Sequence, residues 1–300
     1  MRSWFFLQAG VRYQSNASFT PFDAANLIDL SAPHGADWNA FALGQFANDI
    51  DFGDQNGDKL ETRVTGYLTE QFELHALDVG LLSGSVGPRL ALAPGAWPGL
   101  TVKPYLTGTT AWVGGDPYTT DGGVGVSLSA PLGSALTVSP WIEWQRAAYD
   151  NTDASSLVGT SDQTTAGVSA SARLSETVSA NAKFSYQRAD AAYAWQSNGQ
   201  FTEEFDLPVR FDPPSSRIAQ KWTLTPFVSL TQTTFDEGNP TALDTSRRSD
   251  SKWQAGVALD APVTAHFGLA AAVTYERNQS SIPNYSYDNW SALVGPTARF

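Results

Sequence analysis

The sequence predicts an all-β fold: a transmembrane up-and-down antiparallel β-barrel of about fourteen strands, with short periplasmic turns and long extracellular loops. Three observations carry this reading. Apolar side chains recur at every second residue over long runs, aromatic side chains collect at the ends of those runs, and the connections alternate in length. A run of about ten residues rises roughly 33 Å and, tilted by about 40°, spans the roughly 25 Å of an apolar membrane band; strands of soluble proteins average about 5–6 residues.

In chain order, Phe5, Leu7, Ala9, Val11 and Tyr13 share one face of the first run, opposite Gln8, Arg12 and Gln14. Weaker alternation follows at 38–51, 60–71 and 75–91. Val102, Pro104, Leu106, Gly108, Thr110 and Trp112 oppose Lys103, Tyr105, Thr107 and Thr109, and a small-residue stretch occupies 121–130. Leu136, Val138, Pro140, Ile142 and Trp144 come next, then a weaker run at 164–174. Val178, Ala180, Ala182, Phe184 and Tyr186 oppose Lys183, Ser185 and Gln187, with a further weak run at 205–212. Four strong runs complete the set: Trp222 to Leu230, Trp253 to Ala261, Phe267 to Tyr275, and Trp290 to Phe300. Short links fall near 131–135, 175–177 and 262–266, and long polar ones at 15–37, 150–163, 189–204, 236–250 and 279–289.

If the first strand rises from the periplasm, Tyr13, Trp112, Trp144, Tyr186, Trp253, Tyr275 and Trp290 stand at outer strand ends. Phe5, Trp222, Phe267 and Phe300 stand at inner ends. Lipid interfaces select two aromatic girdles of this kind, whereas a soluble core has no reason to sort aromatics by height. Pro88, Pro104, Pro140, Pro226 and Pro296 lie inside strand patterns, where each removes a ladder donor; bulges near the periplasmic rim are expected to absorb them.

Composition narrows the function classes. The 300 residues are 42% hydrophobic and 16% charged, too apolar for disorder. No Cys is present, which removes thiolate chemistry and Cys-based metal sites. His34, His75 and His266 are too scattered for a paired-His motif, and no cofactor or metal is implied. A net charge of -12 excludes a nucleic-acid partner, which needs a basic face. No apolar run is long enough for a membrane helix, and the stretch after Met1 is too short for a signal peptide. Residues 1–300 therefore read as one barrel domain, excised from a longer protein or matured by removal of a leader.

With the apolar parity toward lipid, the other parity lines the lumen. Its candidate pore-lining charges are Arg12, Arg63, Lys103, Glu143, Arg173, Lys183, Arg210, Lys221, Glu276 and Arg299, joined by Glu61 and Asp260. The surplus acid is assigned to loops: Asp150, Asp153, Asp162, Asp190, Glu203, Glu204, Asp236, Glu237, Asp244 and Asp250. Such a wall is either a selective pore or a set of charges that merely neutralise one another. The acidic segment 49–58 departs from the EF-hand pattern at Lys59 and reads as a polar turn. His75, near Glu73 and Asp78, is a lone histidine with nearby acids; no Gly-x-Ser-x-Gly is present, so a barrel hydrolase is only a third reading. Trp195, Phe201, Phe205, Tyr285 and Tyr287 read as loop aromatics.

The last strand, Tyr287-Asp288-Asn289-Trp290 to Gly295-Pro296-Thr297-Ala298-Arg299-Phe300, ends on a carboxy-terminal Phe. With the segment Ala9 to Ala17, Val102-Lys103-Pro104-Tyr105-Leu106 and Asn278 to Tyr285, it resembles the carboxy-terminal outer-membrane barrels of proteobacterial TPR- and FecR-type surface proteins. A more distant likeness is to the barrel of surface lipoprotein assembly modifiers. The resemblance implies a place in the bacterial outer membrane, contact with its lipid and lipopolysaccharide, and recognition by the barrel assembly machinery through Phe300. It also implies a periplasmic domain or partner. The function expected is a channel or translocation pore for solutes or exported molecules, the alternative being a plugged anchor that displays its loops.

Overall fold

A computed structural model describes residues 1–17, 35–53, 57–150, 160–215, 218–240 and 244–300. His34, Asp153 and the centre of the acidic turn at 54–56 lie outside the described residues. Fifteen strands make one antiparallel sheet: β1 (Arg2–Gln14), β2 (Asp37–Asp51), β3 (Lys59–Gln71), β4 (Val79–Ala91), β5 (Thr101–Val113), β6 (Asp116–Leu132), β7 (Leu136–Tyr149) and β8 (Ser161–Arg173). Then come β9 (Ser179–Ala191), β10 (Asn198–Asp206), β11 (Val209–Phe211), β12 (Trp222–Gly238), β13 (Arg247–Pro262), β14 (Phe267–Ser280) and β15 (Tyr287–Arg299). From β1 to β10 and from β11 to β15 each strand pairs with the next, β1 pairs with β15, and β10 and β11 both lie along β12. The last two are therefore one wall strand interrupted at Leu207-Pro208, and the sheet is a closed barrel of 14 staves. Closure leaves no free edge for aggregation.

Parity decides which side each residue faces, and the pairing keeps that parity around the wall. Leu106 is 60% exposed, Val273 51% and Phe184 44%, all on the outer face. The Lys103 side chain, on the opposite parity, is only 18% exposed. Few large apolar side chains among the described residues are buried, Phe41, Phe235 and Ile282 being the main ones. A chain that turns this much apolar surface outward in a continuous belt is built for hydrocarbon. The 13 residues of β14's neighbour β15 rise about 43 Å and, tilted about 40°, cover about 33 Å, more than the roughly 25 Å belt requires.

Both termini lie at one end, where Phe5 and Phe300 exchange backbone hydrogen bonds at 2.9 Å. This lower end also carries the connections that follow β2, β4, β6, β8, β11 and β13. At the upper end the connections at 15–36 and 150–160 are long, whereas β5 and β6 join through Gly114-Gly115 alone. Both of these glycines have positive φ, +60° and +90°, as a tight hairpin turn demands. The assignment of 189–204 to a loop is corrected here. β10 begins at Asn198, and its Gly199, Phe201, Glu203 and Phe205 alternate outward too briefly to stand out in the sequence.

The five strand prolines share one solution, which is not the bulge expected for them. Pro88 and Pro104 fall in the same interruption of the β4–β5 ladder, between Val86↔Leu106 and Leu90↔Val102. Pro140 falls in the gap between Ser127↔Trp141 and Ala130↔Val138, and Pro296 in the gap between Gln8↔Thr297 and Val11↔Val294. Pro226 faces the break between β10 and β11, where its carbonyl accepts Leu207 N–H at 3.0 Å. Each proline keeps its opposite flank fully paired, so the missing donors coincide with local openings of one ladder instead of an inserted residue. Glycine accompanies two of these gaps because the backbones close in: a Cβ on Gly87 would lie 2.0 Å from Pro104 O, and one on Gly295 1.8 Å from Ala9 O.

Candidate functional site

The inward parity defines the lumen, and nine of the ten expected pore-lining charges stand on it as wall residues. Lys221 does not. It lies in the turn preceding β12, 3.9 Å from Asp212, because the alternation that suggested a wall position begins only at Trp222.

The lower part of the β2–β5 wall is a charge cluster. Glu61 lies 3.1 Å from Lys59, 3.2 Å from Arg89 and 3.1 Å from Lys103, with its own side chain only 10% exposed. Asp49 binds Arg63 at 2.7 Å and also pairs with Lys59. Farther round, Arg299 pairs with Asp260 at 2.5 Å, Arg173 donates to Ser134 O at 3.3 Å, and Arg210 stands across from Thr223. Glu143 accepts from Gln145, and Glu276 accepts from Tyr287 Oη at 2.7 Å. The β2–β5 charges and Arg299 are thus neutralised in place, whereas Glu143, Arg173, Arg210 and Glu276 have no ion-pair partner among the described residues.

The wall has two unlike sectors. At the upper ends of β1–β3 the inward side chains are shut off from water: Asn39 donates to Gln14 Oε1 at 2.9 Å, and Asp37 accepts the backbone N–H groups of Glu73 and Leu74. All three of Gln14, Asp37 and Asn39 are buried, as are Phe41 and Gln71 beside them. Arg12 sits beside this network, inward between Leu293 and Asn39, with its Nε buried and unpartnered.

Across the lumen, β7–β10, β12 and β13 enclose a cavity of about 410 Å³. Its lining is set by register. Gln187 and Gln200 form one row; Ser185, Thr202, Thr231 and Lys252 form the next; Lys183, Glu204, Ser229 and Gln254 form the third. Lys183 and Glu204 pair at 3.2 Å yet keep 43% and 47% of their side chains exposed, so this part of the lumen is open to water. Among the described residues no hydrogen bond or ion pair engages the Lys252 side chain. Aromatic rings cover glycines on neighbouring strands. A Cβ on Gly167 would lie 2.9 Å from the Trp141 indole, one on Gly256 2.6 Å from Phe227, and one on Gly125 2.4 Å from Tyr105. The lumen is therefore lined by ring faces where the strand has no side chain of its own.

Sequence reasoning missed Asp49, Lys59, Arg89, Glu204, Lys252 and Trp141. The signal for all of them was the same period of two: Trp141 and Arg89 sit on the inward parity of runs already read as strands, and the others where the period extends through stretches read as turns or loops. Glu204 moves from loop to wall, and Glu203, on the same strand, faces outward between Phe201 and Phe205. Other acids assigned to loops also sit at upper strand ends: Asp162 pairs with Arg146 at 3.0 Å, and Asp190 and Asp236 hold Arg188 at 2.8 and 2.5 Å. Phe201 and Phe205 are outward strand residues, 39% and 46% exposed, and Tyr287 is an inward one; they are not loop aromatics.

The girdle residues hold their expected side. Trp144, Tyr186, Trp253, Trp290, Phe267 and Phe300 are all exposed on the outer face. Tyr275 bridges Trp253 and Trp290 with ring centroids 5.0 and 4.7 Å away, making the upper girdle continuous there. Tyr13 extends it onto Trp38 at 5.3 Å, Trp112 lies over Gly80, and Trp222 meets Phe211 at the lower rim. The lower turns add Phe52, Leu92, Trp97, Leu174 and Val263, all exposed, which no strand pattern could reveal.

His75 lies in a single 3-10 turn between β3 and β4, and the Asp78 carboxylate is used to accept Gln71 N–H at 2.6 Å. In the acidic turn, Asp51 accepts Gly53 N–H and Asp58 accepts Ala91 N–H, both at 2.7 Å. No cluster of three or more potential metal ligands occurs among the described residues.

No family model matches the chain, and no curated protein does. Solved structures of similar shape include the outer membrane protein OpdK of Pseudomonas aeruginosa, at 8% identity over 100% of this chain and 99% of that one, TM-score 0.47. A BenF-like porin from Pseudomonas fluorescens Pf-5 has 9% identity over 99% and 98%, TM-score 0.49. An anion-selective porin from Comamonas acidovorans has 8% identity over 100% and 99%, TM-score 0.48. The fold assignment rests on the strand pairing and the outward apolar belt described above.

Proposed function

We propose that the protein is an outer-membrane channel that passes small polar solutes through the β7–β13 side of its lumen. One observation carries this: a cavity of about 410 Å³ inside the closed wall, whose Lys183 and Glu204 side chains remain open to water at mid-wall. The two are paired with each other, but a plug filling this sector would also bury them, and their side chains are 43% and 47% exposed. The belt and girdles place the barrel across a bilayer, with the lower, terminus-bearing end in the periplasm. In this reading Phe300, exposed beside Phe267, meets the barrel assembly machinery, the belt meets lipid and lipopolysaccharide, and the lower turns face a periplasmic domain or partner. The buried network at the upper ends of β1–β3 supports a second reading, in which that sector closes the mouth and the barrel serves as an anchor. Single-channel recording of the purified barrel in planar bilayers separates the two. Stable ohmic steps are expected, and closure at all voltages would overturn the channel.

A further inference from the structure

We propose that the β7–β13 cavity is a subsite for a short acidic oligosaccharide, a sugar chain that carries a carboxylate. The inference rests on the channel reading and names its substrate class.

The lining has no aliphatic side chain, which disfavours an apolar ligand. It consists mostly of groups that both donate and accept: the amides of Gln187, Gln200 and Gln254, and the hydroxyls of threonines and serines between them. Strand register spaces these groups by about 4.8 Å across the sheet and about 6.6 Å along each strand. A single small anion uses two or three such positions, whereas a chain of polyhydroxylated rings uses a two-dimensional lattice of them. Trp141 supplies the second element. Its indole lies across Gly167, so a ring face is turned to the cavity where a sugar's C–H face can stack. Lys252 supplies the third. Lys183 is already paired with Glu204, and Lys252 stands in the row with Thr202 and Thr231 with no anionic partner among the described residues. An ammonium in that place favours a ligand with one carboxylate among many hydroxyls. The volume lies within the roughly 300–1,000 Å³ of small-molecule sites.

The test uses the purified full chain with three probes: trigalacturonate, maltotriose and benzoate. Binding is read by calorimetry in detergent micelles and, in parallel, by current interruption in planar bilayers. Trigalacturonate is expected to bind about tenfold more tightly than maltotriose, the size of one charge-assisted hydrogen bond, with benzoate weaker than either. K252Q should bring trigalacturonate down to the maltotriose level, and W141A should weaken both sugars while leaving K252Q's effect in place. W141F, which keeps a ring over Gly167, controls for misfolding; it should retain binding of both. Equal affinity for the two sugars would overturn the role of Lys252, and benzoate binding as tightly as trigalacturonate would overturn the saccharide assignment. Calorimetry with no sugar binding overturns the proposal even if the channel conducts. A barrel that binds sugar but carries no current overturns the channel reading instead.

Discussion

Val228 and Ser229 are adjacent on β12 and face opposite solvents, so one pair of substitutions tests the whole partition. Val228 is 45% exposed on the outer face and pairs with Phe205 and Ala255. It lies six residues above the girdle residue Trp222, about 15 Å along the membrane normal and therefore near the centre of a roughly 25 Å belt. Ser229 lines the lumen cavity between Glu204 and Gln254. An arginine at the midplane of a barrel's lipid face costs about 2–4 kcal/mol, a shift of about 30- to 900-fold in the folding equilibrium. An arginine in a water-filled lumen beside a carboxylate stays within about 0.5 kcal/mol. Equilibrium unfolding in guanidinium from phospholipid vesicles should therefore destabilise V228R by about 2–4 kcal/mol and leave S229R near the parent. S229R should instead lower single-channel conductance. Equal costs for the two variants, or a larger cost for S229R, would refute the outward-apolar assignment.

Three further outcomes follow from specific contacts. G125A places a Cβ 2.4 Å from the Tyr105 ring and should cost about 1–3 kcal/mol, much of it recovered in the G125A/Y105A double variant; an additive cycle would show that the ring does not rest on that glycine. E204Q removes the partner of Lys183 and leaves two ammonium groups on the cavity wall, so the reversal potential in a salt gradient should move toward anion selectivity; an unchanged potential would mean that current bypasses this sector. Deleting Phe300 removes an exposed ring that stacks on His266 and meets Phe267, and should slow assembly in cells, read as loss of the heat-modifiable band, while refolding in vitro into detergent proceeds.

Much of the wall was legible because a closed barrel ties one parity to lipid along its whole circumference. Where outward residues are large, as at Phe184, Leu106 or Val273, the period of two is plain. It fails where those residues are small or charged. β10 presents Gly199, Phe201, Glu203 and Phe205 outward, and a carboxylate in the apolar register hides a strand that the pairing with β9 makes unmistakable. The prolines show the converse. Read singly, each argued against a strand; read as a set they mark where one ladder opens, and Pro88 and Pro104 open the same ladder together. Only the register between strands holds that information.

The site was less legible than the wall, for a physical reason. Parity says that Arg12 and Lys183 both face inward, but whether a lumen sector is open depends on what stands across from it, and that is a property of closure. Arg12 shares its sector with Phe41, Leu43, Tyr67 and Leu293, whose bulk fills the space above the lower charge cluster. Lys183 shares its sector with serine, threonine and glutamine, and its two largest inward rings, Trp141 and Phe227, are laid flat over Gly167 and Gly256. A glycine on the strand next to an aromatic thus decides whether that ring blocks the lumen or lines it. Filling Gly167 with a side chain should lift the Trp141 indole off the wall and narrow the cavity. G167V is accordingly expected to reduce conductance and W141A in the same background to restore only part of it, because the new Cβ also meets the Phe184 carbonyl oxygen at 2.7 Å; a G167V channel of unchanged conductance would mean the ring already stands clear of the wall.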